Sequence, residues 1–114
     1  MIYEMTLHKS PFLAIKSGKK TIEMRLYDEK RKPISVGDQI RFTLRDSENE
    51  TILTEVVSIS VFDSFEKLYA AFPLSALGYT EEEYATASYL DMGQYYSPEA
   101  QAACGVVGIG IRLI

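Results

Sequence analysis

Gly18-Lys19-Lys20-Thr21-Ile22-Glu23-Met24-Arg25 is a G-x-K-x-x-E-x-R string placed where the hydrophobic pattern changes period. Upstream, Ser10-Pro11 predicts a helix start, with the serine as N-cap and the proline at the first helical position, where a missing N–H costs nothing. Phe12, Leu13 and Ile15 supply its buried side, and Gly18 ends it because glycine tolerates the left-handed conformation after a helix. Downstream, Thr21 to Tyr27 alternates. Ile22, Met24 and Leu26 fall on one face of a strand, Thr21, Glu23, Arg25 and Tyr27 on the other, so one face is core and the second is polar and available. A junction between two regular elements holds side chains firmly at a rim, which makes it a sensible place for function.

Working outward, Tyr3, Met5 and Leu7 share one side of a first strand, and Ile40, Phe42 and Leu44 alternate with Arg41, Thr43 and Arg45 after the Val36-Gly37-Asp38 turn signal. Asp28 to Lys32 reads as an exposed turn ending at Pro33, and Asp46 to Glu50 as a hairpin connection into a long β-like run, Thr51 to Phe62. Ser64 or Asp63 caps a helix Phe65 to Phe72, Thr80 a second one through Glu81-Glu82-Glu83, and Ser97-Pro98-Glu99 opens a third. Val107, Ile109, Ile111 and Leu113 alternate in a last strand, expected to close the sheet beside the first. Five or six strands interrupted by short helices, without a βαβ rhythm, give an α+β fold on a mostly antiparallel sheet curled into a small barrel.

A chain of 114 residues with 46% hydrophobic side chains makes one domain, residues 1–114, with enough apolar surface for a single core. Net charge is −4, yet residues 9–45 hold 10 basic against 4 acidic side chains, so the positive field belongs to one part of the molecule. That distribution steers an anionic ligand to one place and argues against indiscriminate coating by nucleic acid. A single cysteine, an N-terminus without a basic-then-apolar plan and no apolar run of about 20 residues make the cytoplasm the expected compartment, with no membrane partner.

Within the string, Lys20 is a movable point charge and Arg25 a rigid fork of five donors suited to phosphate or carboxylate. Glu23 is an acceptor able to read amino groups or to orient the two cations. The bland reading is a same-face ion pair of Glu23 and Arg25 with a solvated Lys20. Strict period-two geometry puts Lys20 on the side of Ile22 and Met24, so all three converge only if Lys20 still belongs to the turn after Gly18.

The string resembles the signature of the ASCH superfamily, and so do its surroundings, PFLAIKSGKKTIEMRLYDEKRKPISVGDQIRF, then VFDSFEKLY, then the terminal GVVGIGI. The likeness spans nearly the whole chain. It implies a PUA-like β-barrel with peripheral short helices and a cleft beside the barrel, facing RNA or a nucleotide-like ligand in connection with translation or RNA regulation. Gly18, Lys20, Glu23 and Arg25 match the signature; Tyr27 joins the expected ligand-binding set by position. Some relatives act on RNA strands or on modified nucleosides. In those that hydrolyse acetylated cytidine, a lysine is followed three positions later by a threonine. Here that position is Glu23, so the hydroxyl nucleophile is missing.

Two readings of function follow. One is a binding module for RNA or a nucleotide. The other is a hydrolase on RNA or a modified nucleoside, with Lys20 and Glu23 as catalytic acid/base partners once their pKa values move toward neutrality. Binding is preferred because the charged triad is present and the nucleophile is not. Tyr96 completes the expected ligand set: Tyr95-Tyr96, preceded by Tyr79, Tyr84 and Tyr89, offers a stacking surface, although such spacing also suits a helix rim over the core. His8 and Cys104 are each unique; Cys104 reads as a small buried thiol in AACGVV rather than half of a nucleophilic pair. No ligand spacing for a metal and no phosphate-cradling glycine loop is present, so no metal and no cofactor is expected.

Overall fold

The computed structural model describes residues 1–47 and 49–114. Five strands, β1 (Ile2–Leu7), β2 (Ile22–Leu26), β3 (Gln39–Leu44), β4 (Thr51–Phe62) and β5 (Val106–Leu113), form one sheet in the order β1-β3-β4-β5-β2. β1 runs parallel to β3, and the other three pairings are antiparallel. The sheet curls into a half-barrel, the α+β architecture of PUA-like domains. Three α-helices, α1 (Lys9–Lys16), α2 (Phe65–Ala71) and α3 (Pro98–Cys104), and two 3-10 turns, Glu81–Glu83 and Tyr89–Gln94, cover it. The hairpin connection between β3 and β4 is found where expected, Glu48 within it lying outside the described residues.

Three expectations need correction. β5 does not lie beside β1; it sits between β4 and β2, paired antiparallel to both. Alternation fixes which face a side chain takes, not which strand lies next to it, and burial of every residue from Val106 to Ile111 suits an interior strand. α1 starts at Lys9 with His8 as N-cap and no side-chain cap, so Ser10 and Pro11 fall inside its first turn. Proline is tolerated there because the first turn's N–H groups have no intrahelical partner in any case. Elsewhere the caps behave as read: the Ser64 hydroxyl accepts from the Lys67 N–H and the Ser97 hydroxyl from the Ala100 N–H. The helix expected after Thr80 shrinks to one 3-10 turn, in which the Glu83 carboxylate accepts from the Thr80 N–H at 2.8 Å.

The core has two parts. The larger joins Met5, Leu7, Phe12, Ile15, Ile40, Phe42, Val56, Val107, Ile109 and Ile111. The smaller packs Ile22, Met24 and Val106 against Phe65 and Leu68 of α2, with Leu77 and Met92. β2 gives its even residues to the smaller cluster, and Tyr27, just beyond its end, packs against the larger. A buried leucine- or phenylalanine-sized side chain contributes about 1.5–3 kcal/mol, so the α2 contacts hold the second cluster firmly against β2. That packing fixes the strand from which the charged triad projects.

Candidate functional site

The α1 to β2 junction is a Schellman motif. Gly18, at φ +82, donates its N–H to the Ile15 carbonyl, and the Lys19 N–H reaches the Ala14 carbonyl. The Lys20 N–H also bonds the Ala14 carbonyl, at 3.0 Å, and β2 starts only at Ile22. Lys20 therefore belongs to the turn, and the period-two objection to convergence does not apply. Its Nζ lies 3.2 Å from Glu23 Oε1, while Arg25 Nη2 lies 2.8 Å from Glu23 Oε2. Lys20, Glu23 and Arg25 meet as one ion triad.

The triad is not on an available face. Glu23 is 2% exposed and Lys20 8%, against the expectation of a polar, solvated side to β2. Opposite charge on both flanks makes this burial tolerable, and every oxygen of Glu23 is used: Oε1 also accepts from the Met24 N–H at 3.2 Å, and Oε2 from Arg25 Nε at 2.9 Å. Burial by itself favours the protonated carboxyl, but the charges of Lys20 and Arg25 outweigh it and hold the Glu23 pKa below its ordinary value. Arg25 shows the converse. Burial works against its charge, and Glu23 and the nearby Tyr96 more than restore it. Acid/base catalysis needs Glu23 moved toward neutrality; its environment moves it the other way.

Lys20 is pinned from a second side. Gly78 has φ +103, and a Cβ built on it would sit 3.0 Å from the Lys20 Cδ, so a side chain there would both strain the backbone and crowd the Lys20 stem. The Thr21 and Ile22 N–H groups both donate to the Ala76 carbonyl, tying the same loop to the start of β2.

The triad walls a cleft of about 500 Å³, a size typical of small-ligand sites. Of the residues expected to bind ligand, Lys20, Glu23, Arg25 and Tyr96 line it. Gly18 and Tyr27 do not: Gly18 shapes the turn, and Tyr27 packs on the larger core, its ring 5.9 Å from Lys32 Nζ. Tyr96 stacks at 6.0 Å on Phe65, and its phenol is raised above the ordinary value, mainly by burial. The bland alternative for the tyrosines is thus half right, since Tyr96 contributes to core and cleft together.

The rest of the lining was not legible in the sequence. Asp91, in the 3-10 turn Tyr89–Gln94, accepts through Oδ2 from the Tyr79 hydroxyl at 2.8 Å and from the Ser88 N–H at 3.1 Å. Tyr69 and Tyr79 share a hydroxyl hydrogen bond of 2.8 Å, and Tyr79 is pushed well above its ordinary pKa, first by burial and then by these partners. Thr6, His8 and Arg45 complete the mouth, with Arg45 Nη1 3.4 Å from His8 Nε2. The one sequence signal for Asp91 was its spacing from Ser88, a cap pattern that fixes the turn but not the cleft. No group of three or more metal-binding side chains occurs among the described residues, and no helix among them is long and apolar enough to cross a membrane.

Comparison with known proteins bears on family and fold. The sequence profile of the ASCH domain matches residues 5–114. The crystal structure of the hypothetical protein PH0355 is 34% identical, with TM-score 0.82 and 100% of each chain covered. The solution structure of protein PF0455 from Pyrococcus furiosus is 30% identical, with TM-score 0.70 over 100% of this chain and 98% of that one. The crystal structure of ASCH from Zymomonas mobilis, at 18% identity and TM-score 0.65, covers 97% of this chain and 66% of its own, a likeness of fold alone. No curated protein matches significantly. With the family profile spanning nearly every residue and two full-length structural relatives at 30% identity or above, the chain belongs to the ASCH domain family.

Proposed function

We propose that this chain is an RNA- or nucleotide-binding domain of the cytoplasm, acting in translation or RNA regulation, whose ligand enters the cleft walled by Lys20, Glu23 and Arg25. The observation that carries this reading is a buried ion triad presented to an open cavity. Buried ion pairs are a poor means of stabilising a fold, so three charges gathered at a cavity wall make more sense as groups offered to a ligand. Arg25 still has donors to offer. Among the described residues Nη1 makes no hydrogen bond to the backbone or to a carboxylate, with Tyr96 its nearest polar neighbour in the cleft, so it is the donor left to meet a ligand.

The charge balance refines the pose. Over the whole lining, the charges of Lys20, Arg25 and Arg45 are matched in number by Glu23, Glu83 and Asp91. A base with its ribose suits the interior better than a phosphate does, and the phosphate falls to Arg45 and His8 at the mouth. Tyr95 and Tyr96 supply ring faces, worth about 1–3 kcal/mol per stacked base. The test is titration of the protein with 5′-mononucleotides and short single-stranded RNA, followed by amide chemical shifts. Saturable binding that perturbs residues of the cleft and weakens with salt is expected. No saturation, or perturbation confined to other faces, rejects the reading.

A further inference from the structure

In the same cleft as the triad, Asp91 is a half-built acceptor. Oδ2 is fully used by the Tyr79 hydroxyl and the Ser88 N–H, which fix the carboxylate's position and orientation. Oδ1 accepts no hydrogen bond from the described residues and is not among the fully buried atoms, and Asp91 lines the cleft, so this oxygen is the one left to take a donor there. Tyr79 is itself held by Tyr69, 2.8 Å away, so the carboxylate rests on a chain of two phenols rather than on a mobile side chain. Such support is what a recognition group needs: its rotamer is set before the ligand arrives. Lys20 and Arg25 line the same cleft and keep N–H groups beyond those that Glu23 takes.

We infer that Asp91 is the specificity-determining residue of the cleft, and that it selects nucleobases with an amino group at pyrimidine position 4 or purine position 6, cytosine or adenine, over their carbonyl counterparts. This rests on the proposed binding of a nucleotide in the same cleft. The chemistry is complementary. A fixed carboxylate oxygen accepts from an amino N–H, whereas a carbonyl at the same ring position brings two oxygens together with no proton between them. A site built to accept one hydrogen bond rejects the analogue that cannot make it, because the polar group is then stripped of water without return.

Two matched pairs test this: cytidine against uridine 5′-monophosphate, and adenosine against inosine 5′-monophosphate. Within each pair sugar and phosphate are the same, so a difference in Kd reports the base edge alone. The amino member of at least one pair should bind roughly tenfold tighter or more, the effect of one hydrogen bond to a charged group. Asp91→Asn, whose amide is able to donate to a carbonyl, should abolish or reverse that preference, and Tyr79→Phe should weaken it. Equal affinities within both pairs overturn the inference while leaving nucleotide binding in place. Failure of all four to bind overturns both. A preference that survives in Asp91→Asn shows that another group reads the base. The wild-type comparison stands even where a variant folds poorly.

Discussion

Arg25 Nη2, on β2, donates to the Thr6 carbonyl on β1 at 3.2 Å, and so a side chain links the two edge strands of the half-barrel, which share no ladder. The same guanidinium bonds Glu23 through Nε and Nη2. Fold and site therefore depend on one residue. The planar fork fixes its bonds to the carboxylate and the carbonyl in one orientation, which a lysine ammonium on its flexible stem does not.

Arg25→Ala should destabilise the protein by about 3 kcal/mol, the usual cost of leaving a buried charge with part of its pairing gone, Lys20 remaining to limit the loss. Arg41→Ala is the control. Its pair with Glu4 is exposed on both sides, and such a pair is worth about 0–1 kcal/mol. Urea denaturation of the two variants decides the matter: equal losses show that the link to Thr6 and Glu23 is not structural. Arg25→Lys should recover only part of the deficit.

The depressed pKa of Glu23 implies a definite pH dependence. A carboxyl held below its unfolded value of about 4.5 releases its proton more readily in the folded state, so between the two values the unfolded chain binds more protons. Its stabilising contribution is complete above about 4.5 and is lost as pH falls through the folded value. Glu23→Gln should be less stable than wild type at pH 7, and the gap should narrow as pH drops below 4.5. Urea midpoints of both proteins from pH 7 to 3 give the difference curve, which isolates Glu23 from the other acids. A gap independent of pH counts against the triad being ionised.

Much of this arrangement was written locally. Gly18 announces the helix stop, and alternation from Ile22 to Leu26 announces β2, because both depend on neighbours in the chain. The burial of Glu23 was hidden, since an acid on an alternating strand reads as a solvent face, and its cations three residues before and two after were the only hint. Three features were beyond reach. The pairing of β5 with β2, the approach of Gly78 to Lys20 and the bond from Tyr79 to Asp91 all arise from long-range packing, on which periodicity is silent.

Gly78→Ala tests the contact behind Lys20. The new methyl meets Lys20 Cδ at 3.0 Å, and the backbone at φ +103 disfavours any side chain. A loss of about 1–2 kcal/mol is expected, with weaker ligand binding as the lysine is displaced from Glu23. Gly93→Ala, in the 3-10 turn, meets nothing within 4 Å and should change stability little. Thermal melts together with a mononucleotide titration separate the two positions. Unaltered binding by the Gly78 variant shows that Lys20 need not be held so closely.

Arg45 offers a separation of binding from folding that the triad does not. It is exposed, its guanidinium meets only the His8 ring among the described side chains, and it stands at the cleft mouth. Removing it should leave stability within about 0.5 kcal/mol, as for most surface substitutions. If it holds one phosphate of a single-stranded RNA, the slope of log affinity against log salt should become shallower by about 0.7. Lys20→Ala should behave differently, losing affinity and stability together because Glu23 is then left with one cation. Anisotropy of a labelled oligonucleotide at several salt concentrations reads the slope, and a urea melt reads the fold. A slope unchanged by Arg45→Ala places the phosphate elsewhere, and an equal loss of stability in both variants removes the distinction between mouth and wall.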